Sequence, residues 1–143
     1  MRLLLIHAKS MKYRPTKAVK ISVRDEVEEE MQWTELDNVL VAFTAVENVD
    51  ENSKDLIIEK AAAELKLVVD RVKAERILIY PYAHLFSSKL SSPRAAIDIC
   101  KGLEERLTST GFEVIRAPFG WYKEFVLHCL GHPLSESSRT ITP

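Results

Sequence analysis

Three segments of the sequence place polar side chains that can do chemistry beside aromatic and turn-forming residues. They are residues 80–85, 117–123 and 131–136. In the first, His84 follows a predicted strand, and loops at the carboxyl ends of strands are common ligand sites. A histidine there can act as an acid, a base or a hydrogen-bond donor near neutral pH. The alternative is a partly buried structural histidine.

The second and third segments add a lysine and a carboxylate. Lys123 follows two aromatic residues at the start of a predicted strand. Aromatic walls can lower the pKa of a lysine, or its charge can orient an ester or phosphate. Glu136 can hold a substrate amine or a partner lysine. The alternatives are an exposed strand lysine and a solvated surface carboxylate, and His7 and His132 are expected to be structural.

The sequence lacks the phosphate-loop, dinucleotide-binding, nucleophile-elbow and zinc-protease motifs of common enzymes. Cys100 and Cys129 do not have the spacing of a zinc site, so neither a metal nor another cofactor is expected. No serine or threonine has a local context that marks it as a nucleophile. If the protein is a hydrolase, water is the expected nucleophile.

Hydrophobic patterns predict two helices and several strands around these segments. One helix is capped by Asn52 and ends near Lys73, and the other is capped by Ser92 and stops at Gly111. Strands are predicted at residues 3–7, 19–23, 38–47, 76–80, 113–116, 123–129 and 139–142. Helical crossovers and adjacent strands together predict one α/β domain with a mixed sheet. Its second face needs cover, for example by a second copy.

Composition and charge narrow the functional classes. The 143 residues fit one domain, and 20 basic against 21 acidic residues give a net charge of −1. This balance argues against gripping nucleic acid by bulk electrostatics. The acidic run at residues 25–30 is expected to be a solvated surface away from any RNA. The apolar start is too short for a signal sequence or membrane span, which predicts a cytoplasmic protein.

Five stretches, in the same order, resemble one family. They are Met-Arg-Leu-Leu-Leu-Ile-His (1–7), Val-Leu-Val-Ala-Phe (39–43), Tyr-Pro-Tyr-Ala-His-Leu (80–85), Ala-Pro-Phe-Gly-Trp-Tyr-Lys (117–123) and Gly-His-Pro-Leu-Ser-Glu-Ser-Ser-Arg-Thr-Ile (131–141). The chain is similar to the N-terminal editing domain of archaeal-type threonyl-tRNA synthetases. The likeness covers residues 1–143 almost entirely and is weakest over residues 9–35. Trp121 differs from the tyrosine of some relatives.

The resemblance implies a fold similar to D-aminoacyl-tRNA deacylases, a homodimer, and hydrolysis of L-seryl-tRNA(Thr) with threonyl-tRNA(Thr) spared. It implies that Lys123 and His84 position the attacking water and stabilise charge near the ester. The terminal ribose hydroxyl of the tRNA is expected to assist. The substrate-binding residues that it implies are Ala83 (through its backbone), Tyr122, Glu136, Pro81, Tyr82 and Trp121.

The implied partner is the 3′ end of tRNA(Thr) carrying serine, while a synthetase body in the same or another chain holds the rest of the tRNA. Relatives continue beyond the position of Pro143, so we expect either part of a longer synthetase or a separate editing subunit. Three alternatives stay open. They are a D-aminoacyl-tRNA deacylase, a non-catalytic module that binds tRNA or dimerises a synthetase, and a generic small-molecule hydrolase, which no motif supports.

Overall fold

The computed structural model describes residues 1–28, 32–85 and 89–143, which form a six-stranded sheet with two α-helices. The strands are β1 (Arg2–Ala18), β2 (Thr34–Ala45), β3 (Arg76–Pro81), β4 (Glu113–Arg116), β5 (Trp121–Cys129) and β6 (Glu136–Thr140). The helices are α1 (Lys54–Val72) and α2 (Pro93–Ser109), and short 3₁₀ turns cover Asn48–Ser53 and Ala83–Leu85.

The sheet is mixed, as predicted. Its strand order is β4-β3-β2-β1-β5, and β6 also pairs with β1. Strands β2, β3 and β4 are parallel and are connected through α1 and α2, whereas β1 runs antiparallel to β2, β5 and β6. The prediction of one α/β domain with two main helices is therefore confirmed.

β1 is longer than predicted, and residues 19–23, predicted as a strand, form irregular structure. The sequence pattern is interrupted at Pro15. In the structure, however, Pro15 lies beyond the last pair of the β1–β2 ladder, Tyr13 with Thr34, and beside a register shift in the β1–β5 ladder. Proline is tolerated at such positions because its missing N–H costs no ladder hydrogen bond there.

Both helices lie where the pattern predicted them, although α1 begins differently. Its predicted cap, Asn52, falls inside the preceding 3₁₀ turn, where Asp50 Oδ2 accepts from Glu47 N (2.8 Å). α2 begins as predicted, since Ser92 Oγ accepts from Ala95 N (3.3 Å). Neither helix in the described part of the chain is long and apolar enough to cross a membrane.

Two apolar clusters lie on the two faces of the sheet. The first fills the space between the sheet and both helices and contains most of the predicted helical stripes. Its helical members include Ile57, Ala61, Leu65, Val68, Ile99, Cys100, Leu103 and Leu107. The second, on the other face, is formed by residues of β1, β2 and β3 together with Ala117. Met11 and Leu78 in this second cluster are fully buried within one chain.

The second cluster is closed because the sheet curls over itself. Tyr13 pairs with Thr34 and Tyr80 pairs with Phe43, so these pairs lie about 30 Å apart along a straight β2. The ring centroids of Tyr13 and Tyr80 are nevertheless 6.0 Å apart. One chain therefore covers the face that we expected a second copy to cover.

The curl falls where β1 and β2 both leave regular geometry. The β1–β5 register shifts between Ala8 and Ser10, and Asn38 on β2 has a φ of 42°. His7 Nε2 lies 2.7 Å from Asn38 Oδ1, and His7 Nδ1 lies 2.8 Å from His132 Nε2. Because His132 Nδ1 accepts a backbone N–H, His132 donates to His7 and His7 donates to Asn38. Both histidines thus hold the bend, in keeping with the structural role predicted for them.

A buried charge cluster ties the start of β1 to the turn before α1. The Met1 ammonium donates to Glu47 Oε2 (3.2 Å), Asp50 Oδ1 (2.9 Å) and the Ile141 carbonyl (2.9 Å). Met1 and Asp50 are fully buried. Burial opposes ionisation of Glu47, but hydrogen bonds from Arg2 and the ammonium outweigh it and hold the pKa of Glu47 below its usual value.

We predict that Asp50→Asn lowers the free energy of unfolding by about 3 kcal/mol, because it leaves a buried ammonium with less compensating charge. The matched control is Asp98→Asn, which breaks the half-exposed ion pair with Lys54 (3.2 Å) and should cost less than about 1 kcal/mol. Urea denaturation at pH 7 measures both. Equal losses in the two variants would show that the buried cluster does not stabilise the fold.

Candidate active site

A cavity of about 450 Å³ lies where the carboxyl ends of β2 and β3 meet the start of β5 and the first turns of α2. This volume is typical of sites that bind small organic groups. The residues that line it are Val19, Ile21, Thr44, Ala45, Val46, Tyr80, Pro81, Tyr82, Ala83, His84, Leu90, Ser91, Pro93, Ala96, Cys100, Phe119, Gly120, Trp121, Tyr122 and Lys123. Two of the three segments singled out in the sequence therefore meet at one cavity.

The first segment lines the cavity at the end of β3. Pro81, Tyr82, Ala83 and His84 all contribute to the lining. Tyr82 N donates to the Thr44 carbonyl (2.8 Å), which holds the chain across the end of β2 before it enters a 3₁₀ turn. His84 is exposed in that turn, so its imidazole can exchange protons with a ligand or with water.

Asp25 holds the second segment in place. Its carboxylate pairs with Arg116 and accepts from Phe119 N (2.8 Å), and its carbonyl accepts from Trp121 Nε1 (2.8 Å). Burial opposes ionisation of Asp25, but Arg116 and the Phe119 N–H outweigh it and lower its pKa. The prediction of a solvated acidic run is therefore wrong for Asp25, whose side chain is 14% exposed.

Gly120 lets residues 19–25 approach this segment closely. Its φ is 83°, and Val19 N donates to its carbonyl (2.9 Å). A Cβ added at Gly120 would lie 2.4 Å from Arg24 Cβ. Glycine meets both demands, since it tolerates positive φ and has no side chain to clash. The close approach places Val19 and Ile21 in the cavity wall.

Lys123 lies in the cavity wall with its amine largely removed from water. Its Nζ donates to the carbonyls of Pro118 (2.9 Å) and Trp121 (2.8 Å) and lies 5.1 Å from the centroid of the Tyr80 ring. Burial lowers the pKa of Lys123 to about 8, against an opposing effect of the Asp25 charge. Two of the three N–H bonds of the ammonium serve the carbonyls, which leaves one for a ligand.

The remaining predicted residues fall into two groups. Trp121 and Tyr122 line the cavity, and Tyr122 is 56% exposed. Glu136, in contrast, stands at the start of β6, and its Oε1 accepts from Cys129 Sγ (3.4 Å). It is not part of the cavity lining, so a single chain does not bring Glu136 to Lys123.

The inner wall of the cavity is formed by residues that the sequence did not mark as functional. Thr44 and Val46 at the end of β2 and Ala96 and Cys100 on α2 all line it. Burial raises the pKa of Cys100 to about 12, so its thiol is a wall group and not an activated nucleophile. In the sequence these residues fit the strand and helix patterns of ordinary core positions, and no local signal distinguishes them.

The cavity brings together groups that can act on a water molecule and on a developing negative charge. Within residues 1–28, 32–85 and 89–143, no group of three His, Cys, Asp or Glu side chains is placed to hold a metal ion. The cavity instead combines apolar walls with the buried amine of Lys123 and the exposed imidazole of His84. Such groups can position a water molecule and stabilise negative charge that develops on an oxygen.

Comparison of structures defines the fold class. The chain is similar to the c-Myc DNA unwinding element binding protein, with a TM-score of 0.65 over 100% of this chain and 99% of that one. The sequence identity is 10%, so the likeness concerns the fold alone. The solved structure thus shares the single α/β domain with a mixed sheet that the sequence predicted.

Comparison of sequences defines the family. The model of the archaea-specific editing domain of threonyl-tRNA synthetase matches residues 1–141. The threonine–tRNA ligases of Methanothrix thermoacetophila and Methanosarcina mazei are 52% and 49% identical, over 99% and 100% of this chain. The chain belongs to this family of editing domains. It spans 22% of the length of these relatives.

We predict that the Lys123 amine is half protonated near pH 8, where its pKa of about 8 places it, and that ¹⁵N NMR of the lysine side chains detects this. The Lys123→Met variant should lack the titrating signal. The unfolded chain keeps the proton up to about pH 10.5. The unfolding free energy of the wild type should therefore rise relative to that of Lys123→Met between pH 8 and 10.5. A signal that stays protonated at pH 9.5 would contradict the buried setting.

We also predict that Gly120→Ala destabilises the domain more than Gly111→Ala. Both glycines have positive φ, but an added Cβ meets Arg24 only at Gly120, and nothing lies within 4 Å of one at Gly111. Both variants should lose about 1 kcal/mol from backbone strain, and Gly120→Ala about 1–3 kcal/mol more from overpacking. Thermal denaturation measures the difference, and equal losses would mean that residues 19–25 are not held against Gly120.

Proposed function

We propose that this domain hydrolyses the ester bond of L-seryl-tRNA(Thr) and spares threonyl-tRNA(Thr). The observation that carries the proposal is the cavity at which Lys123, His84, Tyr122 and Ala83 meet, in a chain of the editing-domain family. A volume of about 450 Å³ suits an aminoacyl group with its terminal nucleoside and is far too small for the body of a tRNA.

A separate editing cavity answers a selectivity problem. Serine is threonine without one methyl group, so a pocket that accepts threonine cannot exclude serine by size. One methyl group provides only about 1–3 kcal/mol of discrimination. A second cavity can select in the opposite direction, because a smaller pocket can admit serine and exclude threonine, which carries the added methyl group. We assign this exclusion to the Ala83 backbone and to Tyr122, which line the cavity with Lys123.

In the proposed reaction a water oxygen attacks the ester carbon, the bond to the ribose oxygen breaks, and serine and free tRNA leave. At neutral pH Lys123 is mostly charged, since its pKa is about 8, and its free N–H stabilises the oxyanion. His84 positions the water, accepts its proton and returns one to the departing ribose oxygen. The neighbouring ribose hydroxyl assists this transfer. Pro81, Tyr82 and Trp121 complete the substrate-binding wall.

We propose a homodimer as the arrangement that can bring Glu136 of one copy to the cavity of another. Exposed apolar side chains on one face of β5 and just after it support this, since Val126 and Leu130 are 54% and 42% exposed. Groups of exposed apolar residues often mark protein contacts. In such a dimer Glu136 would hold the serine amine or the Lys123 amine.

The rest of the tRNA must be held outside this cavity. The net charge of −1 gives the domain little overall attraction for a polyanion. Because the chain spans 22% of the related ligases, we propose that a synthetase body, in the same chain or another, holds most of the tRNA. One alternative that the sequence resemblance leaves open is a deacylase selective for D-aminoacyl-tRNA, which would use the same ester chemistry with the opposite chirality.

The test is deacylation of L-Ser-tRNA(Thr), L-Thr-tRNA(Thr) and D-Ser-tRNA(Thr) by the purified domain, alone and with a synthetase body added. We expect rapid loss of L-serine with threonine retained. Lys123→Ala and His84→Ala should each slow the reaction about 100-fold or more, because each removes a group that acts in the transition state. Lys66→Ala, which changes an exposed lysine on α1, is the matched control and should leave the rate unchanged.

Three other outcomes of this test would each contradict a different part of the proposal. Turnover of D-Ser-tRNA(Thr) alone would establish the D-aminoacyl deacylase. Binding without turnover, even with the synthetase body present, would indicate a non-catalytic module. Full activity in both Lys123→Ala and His84→Ala would leave the editing function intact and overturn the roles assigned to these side chains.

A further inference from the structure

Positive side chains are concentrated in two short segments that border the cavity. Residues 16–24 carry Lys17, Lys20 and Arg24, and residues 89–94 carry Lys89 and Arg94. Neither segment contains an aspartate or a glutamate, although the whole chain has 21 acidic against 20 basic residues. The balanced net charge therefore conceals a local excess of positive charge.

These two segments also supply part of the cavity wall. Val19 and Ile21 come from the first segment, and Leu90, Ser91 and Pro93 come from the second. The five basic residues, which we call the basic rim, are exposed, and three of them, Lys20, Lys89 and Arg94, are next to these wall residues in the chain. The rim residues do not line the cavity themselves but belong to the segments that border it.

The structure keeps the first part of the rim against the cavity wall. Lys17 pairs across the ladder with Tyr122, and residues paired directly in this way carry their side chains on the same face of a sheet. Arg24 packs its Cβ against Gly120, and its Nη1 lies 3.5 Å from the Val19 carbonyl. The backbone contacts that hold residues 19–25 against the β4–β5 connection therefore also position these charges.

Three of the acidic residues near the rim already have partners. Asp25 pairs with Arg116, Glu51 Oε1 accepts from Ser92 N (2.6 Å), and Asp98 pairs with Lys54. Glu26, beyond Asp25, lines a separate cavity of about 410 Å³. No residue of the rim forms an ion pair within the described ranges of the chain. The rim thus presents uncompensated positive charge to a ligand that enters the cavity.

The start of α2 adds to this field. Pro93, its first residue, lines the cavity, and Arg94 follows it. The first turn of a helix carries a partial positive charge and favours anions near it. A ligand with an apolar end group inside the cavity and negative charges at the mouth fits both features.

We propose that the basic rim binds the phosphates of the unpaired 3′ end of the tRNA, the nucleotides that immediately precede the one inside the cavity. This inference rests on the proposed function and deepens it. The cavity accepts a group of nucleoside size, so the strand that enters it must be single-stranded there. Positive side chains that follow a single-stranded backbone give affinity that is independent of sequence and falls with salt.

The test compares two substrates that share the same seryl-adenosine end, seryl-tRNA(Thr), which carries the preceding phosphates and the tRNA body, and 3′-O-seryl-adenosine, which carries neither. Lys20→Glu/Lys89→Glu should reduce kcat/KM for the tRNA about tenfold or more at 50 mM salt through KM, and should leave the nucleoside ester within twofold of wild type. Replacing the pair by glutamine should reduce the slope of log kcat/KM against log salt by about 0.7 per lost phosphate contact. Lys66→Glu/Arg71→Glu, on the exposed surface of α1, carries the same charge change and should behave as wild type.

Loss of activity on both substrates, or on neither, in the rim variant would overturn the proposal. If wild-type protein hydrolyses neither substrate, the proposed function fails, and the rim is then tested by fluorescence anisotropy with an unpaired oligonucleotide that carries the tRNA 3′ sequence. Salt-sensitive binding that the rim variant loses and the α1 control keeps would support it. Equal binding by all variants would overturn it independently of catalysis.

Discussion

The curl of the β1–β2 ribbon is the constraint on which the rest of the structure depends. The curl closes the second apolar cluster within one chain. It also brings the part of β5 that pairs with the end of β1 close to the ends of β2 and β3, where the ring centroids of Phe125 and Tyr80 are 5.6 Å apart. Lys123, two positions earlier on β5, thereby reaches the Tyr80 ring. A sheet without this bend would bury less apolar surface and would leave the amine far from His84.

Charged pairs then fix the irregular segments that the sheet alone cannot hold. Asp25 accepts from Phe119 N and pairs with Arg116, while Arg116 also pairs with Glu104 on α2. These contacts join α2, β4 and residues 19–25 into one wall. That wall contributes to the burial that lowers the pKa of the Lys123 amine, although the charge of Asp25 itself opposes the shift.

The sequence was informative where a local rule dominates. Apolar runs and helical spacing predicted the strands β2, β3 and β4 and the two helices between them, and Ser92 predicted the start of α2. Such local rules failed where contacts between distant parts of the chain determine where an element begins or ends. Pro15 does not end β1, because the surrounding ladders do not need its N–H. Asn52 does not cap α1, because Asp50 and Glu47 form the cap one turn earlier.

The candidate site also contains features that the local sequence predicts and features that depend on contacts between distant residues. The residue types around His84 and Lys123 marked each of them as a candidate, and the family resemblance implied that the two act together. The role of Asp25, in contrast, depends on a contact with Arg116, 91 residues away, which no local pattern encodes. Glu136 is the reverse case, since its motif suggested a place beside Lys123 and the single chain puts it elsewhere. Resemblance to a family indicates which residues are candidates for the site, but it does not indicate whether one copy of the chain or two copies supply them.

The long first strand has a consequence for synthesis on the ribosome. Among the described residues, one edge of β1 pairs with β2 and the other pairs with β5 and β6, which end at Cys129 and Thr140. At a synthesis rate of roughly 5–20 residues per second, β5 and β6 are completed on the order of ten seconds after β1. During this interval the nascent chain carries an open strand edge, the feature that most readily pairs with other chains. The exposed basic and polar side chains along this strand, Lys9, Thr16 and Lys17 among them, oppose such pairing until the last strands arrive.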